Sequence, residues 1–92
     1  MSEPVFAISV AADMVAMEIQ NLRVYERHGL VAPGRTAGGT RRYSSDDVER
    51  LHRIRDLLAG GLNLAGVARV LALEDEVATL RAEIVALRRG GR

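Results

Sequence analysis

The fold is decided by residues 19–43, which read IQNLRVYERHGLVAPGRTAGGTRRY. This stretch holds five arginines and a single acid, whereas the net charge of the whole 92-residue chain is only +1. Its first part predicts a helix that ends at Gly29, since glycine is best suited to the left-handed position after a last turn. Its second part predicts a short hairpin in which Gly38 and Gly39 supply the positive φ angles of a tight turn. A helix followed by a basic hairpin is suited to gripping the backbone of a nucleic acid.

The composition indicates a mostly helical protein without a metal or cofactor site. Hydrophobic residues make up 48% of the chain and aromatic residues only 3%, so the core consists of aliphatic side chains, a composition that favours helices. There is no cysteine, and two isolated histidines, His28 and His52, cannot form a metal site by themselves. No segment approaches about eighteen consecutive apolar residues, so we expect no membrane span and a cytoplasmic location.

Two short helices are predicted up to Gly29. Ser9 is suited to cap the first, whose apolar residues recur at helical spacing from Val10 to Val15, and Ala16-Met17 forms the turn into the second. Such a pair fits a helix-turn-helix, although a helical hairpin that only supports another element has the same pattern.

The second helix carries a polar face. Ile19 and Leu22 share one side with Glu26, and the other side carries amide and guanidinium groups that can pair with adenine and guanine in a major groove. The residues proposed for this contact are Gln20, Asn21, Arg23 and Arg27. The alternative is a solvated face on which Glu26 balances Arg23 and Arg27.

A third helix is predicted after Ser44, because Ser44 and Asp47 have the spacing of a capping box. The glycines Gly60-Gly61 end it. Its apolar stripe consists of Val48, Leu51, Ile54 and Leu58.

The last part of the chain predicts a dimerisation seam. Asn63 is suited to cap a short fourth helix that buries Leu64, Val67 and Leu71. From residue 70, apolar residues recur at alternating intervals of three and four, which is typical of a coiled coil. A helix folding back on its own domain is the alternative, but the stripe is narrower than a core-facing helix usually shows. The seam is formed by Val70, Leu73, Val77, Leu80, Ile84 and Leu87.

These motifs resemble the DNA-binding signature of the MerR family of bacterial transcription regulators. The resemblance is carried by residues 22–30, by Pro33 and by residues 38–44, and residues 6–12 and 61–67 are similar to the heat-shock repressor branch, HspR. It implies a mostly α fold with two parts. Residues 1–72 would form a winged helix-turn-helix DNA-binding domain with a short β-hairpin wing, and residues 73–92 a C-terminal coiled-coil dimerisation helix with a short basic tail.

The resemblance also implies residue roles. The second helix would enter the major groove, with Arg23 and Tyr25 as contacts, and Arg41, Arg42 and Tyr43 would belong to the wing on the flanking backbone. Two protomers paired through an antiparallel coiled coil would bind an inverted repeat in double-stranded DNA, because operator symmetry mirrors protein symmetry. We therefore expect a homodimeric transcription repressor.

The sequence departs from the family pattern at three positions. Val24 stands where many relatives have a second tyrosine, and Glu18 stands where a Ser or Thr cap is usual. Ala16 occupies a turn position often held by glycine, and alanine there costs about 1 kcal/mol or more if its φ angle is positive. These departures weaken affinity or alter target choice rather than abolish binding.

The resemblance sets the expected partners as well. HspR-like repressors work with the DnaK chaperone as co-repressor, so DnaK is an expected partner. The cysteines of the metal-sensing members and the large ligand domain of the drug-sensing members are absent, so we expect no cofactor and no direct sensing of a small ligand. The alternative function is a protein-interaction adaptor whose heptad helix binds a partner protein. An enzyme is not expected, because Glu18, Glu26 and Asp46 lie among arginines and no nucleophile stands in a recognisable setting.

Overall fold

The structure, a computed structural model, describes residues 5–90. The ends of the two predicted domains, residues 1–4 and 91–92, lie outside the described residues. The fold is mostly helical, as predicted, and the chain divides into two compact units between Gly61 and Leu62. The elements in chain order are β1 (Phe6–Ala7), α1 (Ile8–Met14), α2 (Ile19–Arg27), β2 (Gly34–Arg35), β3 (Arg41–Tyr43), α3 (Ser45–Ala59) and α4 (Leu64–Gly90).

The three strands form a small antiparallel sheet in the order β1-β3-β2. Phe6 lies opposite Tyr43 on one edge of β3, and Arg35 lies opposite Arg41 on the other. The hairpin β2–β3 was predicted from its glycines, whereas β1 was not, because two residues are too few to show an alternating pattern.

The predicted start of α1 was wrong. Ser9 lies inside the helix. The N-cap is Ala7, whose backbone is extended and whose side chain forms no capping hydrogen bond. The reason is that β1 runs directly into α1, so the last strand residue already has the φ and ψ angles of an N-cap.

In the turn between α1 and α2, Ala16 has a positive φ angle of +54°, so the condition for a backbone cost at this alanine is met. Val15 N–H donates to Ala11 O and Met17 N–H donates to Ala12 O, so these bonds hold the turn after the helix ends. Glu18, the N-cap of α2, forms no side-chain cap hydrogen bond.

Helix α2 ends as predicted at a left-handed glycine. Gly29 has a φ angle of +74°, and Leu30 N–H donates to Tyr25 O at 2.9 Å. In the hairpin, Gly39 has a φ angle of +85°, but Gly38 is not among the positive-φ residues of the described chain. The prediction that both hairpin glycines adopt positive φ was therefore right for Gly39 alone.

The capping box of α3 is confirmed in both directions. Ser44 Oγ accepts from Asp47 N–H at 3.0 Å, and Asp47 Oδ2 accepts from Ser44 N–H at 2.9 Å. In the predicted apolar stripe three residues are buried and Leu58 is half-buried.

The core of the first unit is aliphatic apart from two tyrosines. Helix α1 packs against α2 and β3, and α3 packs against β3. The buried side chains from these elements and their connections are Ala11, Ala12, Val15, Leu22, Tyr25, Leu30, Val31, Tyr43, Val48, Leu51 and Ile54.

Helix α4 forms the second unit and runs for 27 residues without a break. Asn63 caps it as predicted, since its Oδ1 accepts from Gly66 N–H at 2.9 Å. The expected short fourth helix is therefore the first part of a longer one. Val67 and Leu71 are buried, and Leu64 is half-buried. No helix within residues 5–90 is both long enough and apolar enough to cross a membrane.

Candidate nucleic-acid interface

The exposed side of α2 carries the four polar residues that the sequence singled out. Gln20, Asn21, Arg23 and Arg27 are all exposed, while Leu22 on the opposite side is fully buried. Burial of that apolar side fixes the rotation of the helix, because turning it would expose Leu22. The amide and guanidinium groups are consequently directed to solvent, where they can pair with base edges or phosphates.

A carboxylate on α2 holds the hairpin. Glu26 is half-buried, and its Oε2 accepts from Arg35 Nη2 at 2.7 Å while its Oε1 accepts from Arg41 Nε. Arg35 Nη1 also donates to Gly39 O at 3.2 Å, within the turn of the hairpin. Glu26 thus pairs with hairpin arginines, and not with Arg23 and Arg27 as the alternative interpretation of α2 required.

The two neighbouring arginines of β3 have different surroundings. Side chains alternate between the faces of a strand, so Arg41 and Tyr43 lie on one face and Arg42 on the other. Hydrogen bonding to Glu26, opposed in part by desolvation, raises the pKa of Arg41 above its ordinary value. Arg42 is half-buried and forms no ion pair with any residue of the described range.

The two predicted tyrosine contacts lie in the core. Tyr25 is 6% exposed and Tyr43 is 0% exposed, and burial raises the pKa of both phenols. The Tyr43 hydroxyl is buried and has no hydrogen-bond partner within residues 5–90. The structure therefore places six of the predicted DNA-binding residues at least partly at the surface and these two tyrosines inside.

Two arginines of α3 donate hydrogen bonds to backbone carbonyls in the turns that follow α1 and α2. Arg55 Nη1 donates to Val15 O at 2.8 Å, and Arg50 Nε donates to Leu30 O. These carbonyls follow the ends of α1 and α2, where backbone acceptors lack helical partners. The sequence analysis assigned no role to Arg50 or Arg55, although the need for hydrogen-bond donors near two helix ends was a signal for both.

The seam residues of α4 form a row on the surface of the single chain. Five of the six are exposed by 45% to 73%, and Val70 is half-buried. An apolar groove along this row is lined by Val70, Leu73 and Val77, together with Glu74, Ala78 and Arg81. Val85, which the heptad pattern did not include, is also exposed.

Residues 6–74 match the family model described as MerR HTH family regulatory protein. The chain belongs to the MerR family. The match covers the helices, the hairpin and the start of α4, so it includes every element of the candidate interface. The predicted family is confirmed.

Curated relatives support the same assignment. A protein of Streptomyces coelicolor named as a heat shock protein HspR is 48% identical over 85 residues, which cover 91% of this chain and 56% of that protein. The regulator GlnR of Bacillus anthracis is 42% identical over 74 residues, covering 80% of this chain and 57% of GlnR. The chain spans a little more than half the length of these relatives. The predicted likeness to HspR is confirmed. The homologues of this chain are regulators rather than enzymes.

Solved structures of MerR proteins share the fold. The lead(II) complex of PbrR691 from Ralstonia metallidurans has a TM-score of 0.72 and 25% identity, covering 96% of this chain and 81% of PbrR691. HiNmlR, a MerR family regulator lacking the sensor domain and bound to promoter DNA, has a TM-score of 0.66 and 22% identity. The match covers 97% of this chain and 77% of HiNmlR. The winged helix-turn-helix expected from the resemblance is confirmed.

Proposed function

We propose that this MerR protein is a homodimeric, sequence-specific transcription repressor that occupies an inverted repeat in a promoter. Residues 1–72 would form the DNA-binding domain and residues 73–92 the dimerisation helix. The observation that carries the proposal is the exposed side of α2, where Gln20, Arg23 and Arg27 stand at helical spacing over a buried apolar side. Family membership supports placing this helix in a major groove.

The arginines of the first unit that are free to meet phosphate lie on α2 and on β3. In the first unit, arginines 35, 41, 50 and 55 are engaged by Glu26 or by backbone carbonyls. Arg23, Arg27 and Arg42 have no ion pair within residues 5–90. With Arg23 assigned to a base edge, the phosphate contacts Arg27 and Arg42 of the two protomers give log K of the dimer a slope of about −3.6 against log salt.

The row of exposed apolar residues on α4 supports the homodimer. An apolar row of this length on a single chain marks an interaction surface. A second copy supplies an identical row, and Val or Ile at each first heptad position with Leu at each second favours two-stranded association. The two-fold axis of such a dimer accounts for an inverted-repeat site.

The likeness to HspR supports repression as the sign of regulation, with the DnaK chaperone as the co-repressor partner to be tested. This part of the proposal rests on residues shared with that relative over about half of its length.

The test is fluorescence anisotropy on two duplexes at several salt concentrations. The first duplex is selected from a random-sequence library by the wild-type protein, and the second is its scrambled version. We expect selective binding with a steep salt dependence. Equal, salt-independent binding to both duplexes, with and without added DnaK, would rule the proposal out.

The exposed row on α4 also favours a second candidate, a protein-interaction adaptor in which the row binds a partner's helix. Sedimentation of the purified protein separates the two candidates, because an adaptor with a heterologous seam is a monomer when it is alone.

A further inference from the structure

The carboxylate of Glu26 stands between α2 and both strands of the hairpin. Arg35 and Arg41 are direct partners in the β2–β3 register, and both donate to it. The Glu26 side chain is 19% exposed, compared with 46% for Arg35 and 31% for Arg41. One partly buried acid therefore ties the two strands of the hairpin to the helix.

We propose that Glu26 is a positioning residue that fastens the hairpin to α2, and that Arg42 rather than Arg41 is the phosphate-contacting arginine of β3. This inference rests on the proposed DNA-binding function and assigns the parts of its interface. It separates two adjacent arginines that the sequence treated as equivalent.

The charge of Arg41 is engaged before any DNA arrives. Its Nε–H is directed at Glu26, and the geometry of a guanidinium does not allow the same N–H to point at a phosphate. Arg35 is engaged by the same carboxylate and by Gly39 O. A phosphate that approaches Arg41 or Arg35 also approaches the negative charge of Glu26, which reduces the attraction.

Arg42 has neither constraint. It lies on the opposite face of β3 from Arg41, between the partners Ala7 and Gly34, and forms no ion pair within residues 5–90. Its small register neighbours leave room for a guanidinium that extends past the sheet. Because side chains alternate between the two faces of a strand, Arg41 faces Glu26 and positions the hairpin, whereas Arg42 faces away from Glu26 and can contact a phosphate.

The attachment of the hairpin to α2 affects the sequence selectivity of DNA binding more than it affects the positive charge of the interface. Phosphate contacts set the register of a protein on DNA, and base contacts then specify the sequence. When the hairpin is fixed to α2, its phosphate contacts also fix the position of Arg23 and its neighbours along the DNA. A loosened hairpin keeps its charge but no longer fixes where α2 lies over the base pairs.

The test uses the full-length variants Glu26→Gln, Arg41→Gln and Arg42→Gln on the selected and scrambled duplexes. Arg42→Gln should weaken both complexes alike and make the slope of log K against log salt shallower by about 0.9 per protomer. Arg41→Gln should leave the slope on scrambled DNA unchanged and weaken binding to the selected duplex. Glu26→Gln should strengthen binding to scrambled DNA, steepen its slope and lower the ratio of selected to scrambled affinity.

Two results would overturn the inference. An Arg41→Gln slope as shallow as that of Arg42→Gln would make Arg41 a phosphate contact. A Glu26→Gln protein with wild-type slope and wild-type selectivity would show that the carboxylate does not position the hairpin. Thermal melting of each variant shows whether a changed affinity reflects loss of the folded state.

Failure of the proposed function is distinguishable from failure of this inference. If the wild-type protein enriches no duplex from the random-sequence library, the function is wrong, and amide hydrogen exchange without DNA then decides whether Glu26 fastens the hairpin. Glu26→Gln should speed exchange of the Thr36 amide, which donates to Thr40 O at 2.8 Å across the hairpin, and leave the amides of α3 unchanged. Equal exchange at Thr36 in both proteins would refute the fastening.

Discussion

Arg55 Nη1 donates a hydrogen bond to the backbone carbonyl of Val15 at 2.8 Å, and this contact joins residues 40 positions apart. Val15 is fully buried at the end of α1, so its carbonyl has little access to water. The bond therefore ties α3 to the turn between α1 and α2.

Replacing Arg55 tests the value of that bond. Arg55→Met keeps the length of the side chain but leaves the Val15 carbonyl without its donor, so we expect a loss of about 1.5–3 kcal/mol in the free energy of unfolding. Urea denaturation measures the loss. Arg23→Met is the matched control, because Arg23 is exposed and unpaired within residues 5–90, and it should change stability by less than about 0.5 kcal/mol. Similar losses in both variants would refute the structural role of Arg55.

The left-handed backbone of Ala16 is a stored strain that glycine relieves. The φ angle of +54° costs an alanine about 1–2 kcal/mol, and part of the gain from glycine is lost to the greater freedom of the unfolded chain. We expect Ala16→Gly to stabilise the protein by about 0.5–1 kcal/mol. Ala68→Gly, on the exposed side of α4, should instead destabilise by about 1 kcal/mol. A loss of stability in Ala16→Gly would show that the alanine methyl group makes a favourable contact.

The unpartnered hydroxyl of Tyr43 predicts an unusual response to Tyr43→Phe. Removal of a hydrogen-bonded hydroxyl costs about 1 kcal/mol, whereas removal of a buried unsatisfied one is neutral or stabilising. Urea denaturation at neutral pH checks this expectation. A loss above about 1 kcal/mol would show that the hydroxyl has a partner, such as a bound water molecule.

The two buried tyrosines, Tyr25 and Tyr43, predict how the free energy of unfolding changes at alkaline pH. Burial raises the pKa of Tyr43 and Tyr25, so the folded state favours the protonated phenols. This stabilisation is complete below the unfolded value of about 10 and is lost as pH rises through the folded values. The chain contains no lysine and no cysteine, so few other groups titrate between about pH 9 and 11. Tyr25→Phe with Tyr43→Phe should flatten the decline, and an unchanged decline would assign it to another group.

The elements that the sequence predicted are those with local signals. The capping box of Ser44 and Asp47 involves residues three apart, and Gly29 and Gly39 mark turns through their own backbone freedom. The heptad row of α4 is likewise a pattern within one helix. In each case the physical cause lies within a few residues of its effect, so a single sequence is enough.

The contacts that the sequence could not predict join distant residues. Strand β1 exists only because β3 pairs with it, and Glu26 finds Arg41 fifteen positions away. The family resemblance assigned Tyr43 to the wing, but strand alternation turns its side chain toward the core. Which arginines are engaged and which are free was therefore decided by packing, not by composition.

The proposed dimer seam predicts a monomer when its centre is charged. Leu80 is 50% exposed in the single chain, and Leu80→Asp would place a carboxylate in the apolar contact with the second copy. Sedimentation should show a dimer for the wild type and a monomer for the variant. Ala82→Asp, an exposed residue two positions away and outside the seam, should remain dimeric. A wild-type monomer would favour the adaptor candidate, and a dimeric Leu80→Asp protein would place the dimer contact elsewhere.

The exposed guanidinium of Arg23 predicts a loss of selectivity rather than of general affinity. If it pairs with a base edge, Arg23→Ala costs about 1–3 kcal/mol on the selected duplex and little on the scrambled one. Arg42→Gln is the comparison, because a phosphate contact should lower both affinities together. Anisotropy titrations of both variants on both duplexes give the two losses. Equal losses of Arg23→Ala on the two duplexes would reassign Arg23 to the phosphate backbone and leave Gln20 and Asn21 as the base-reading residues of α2.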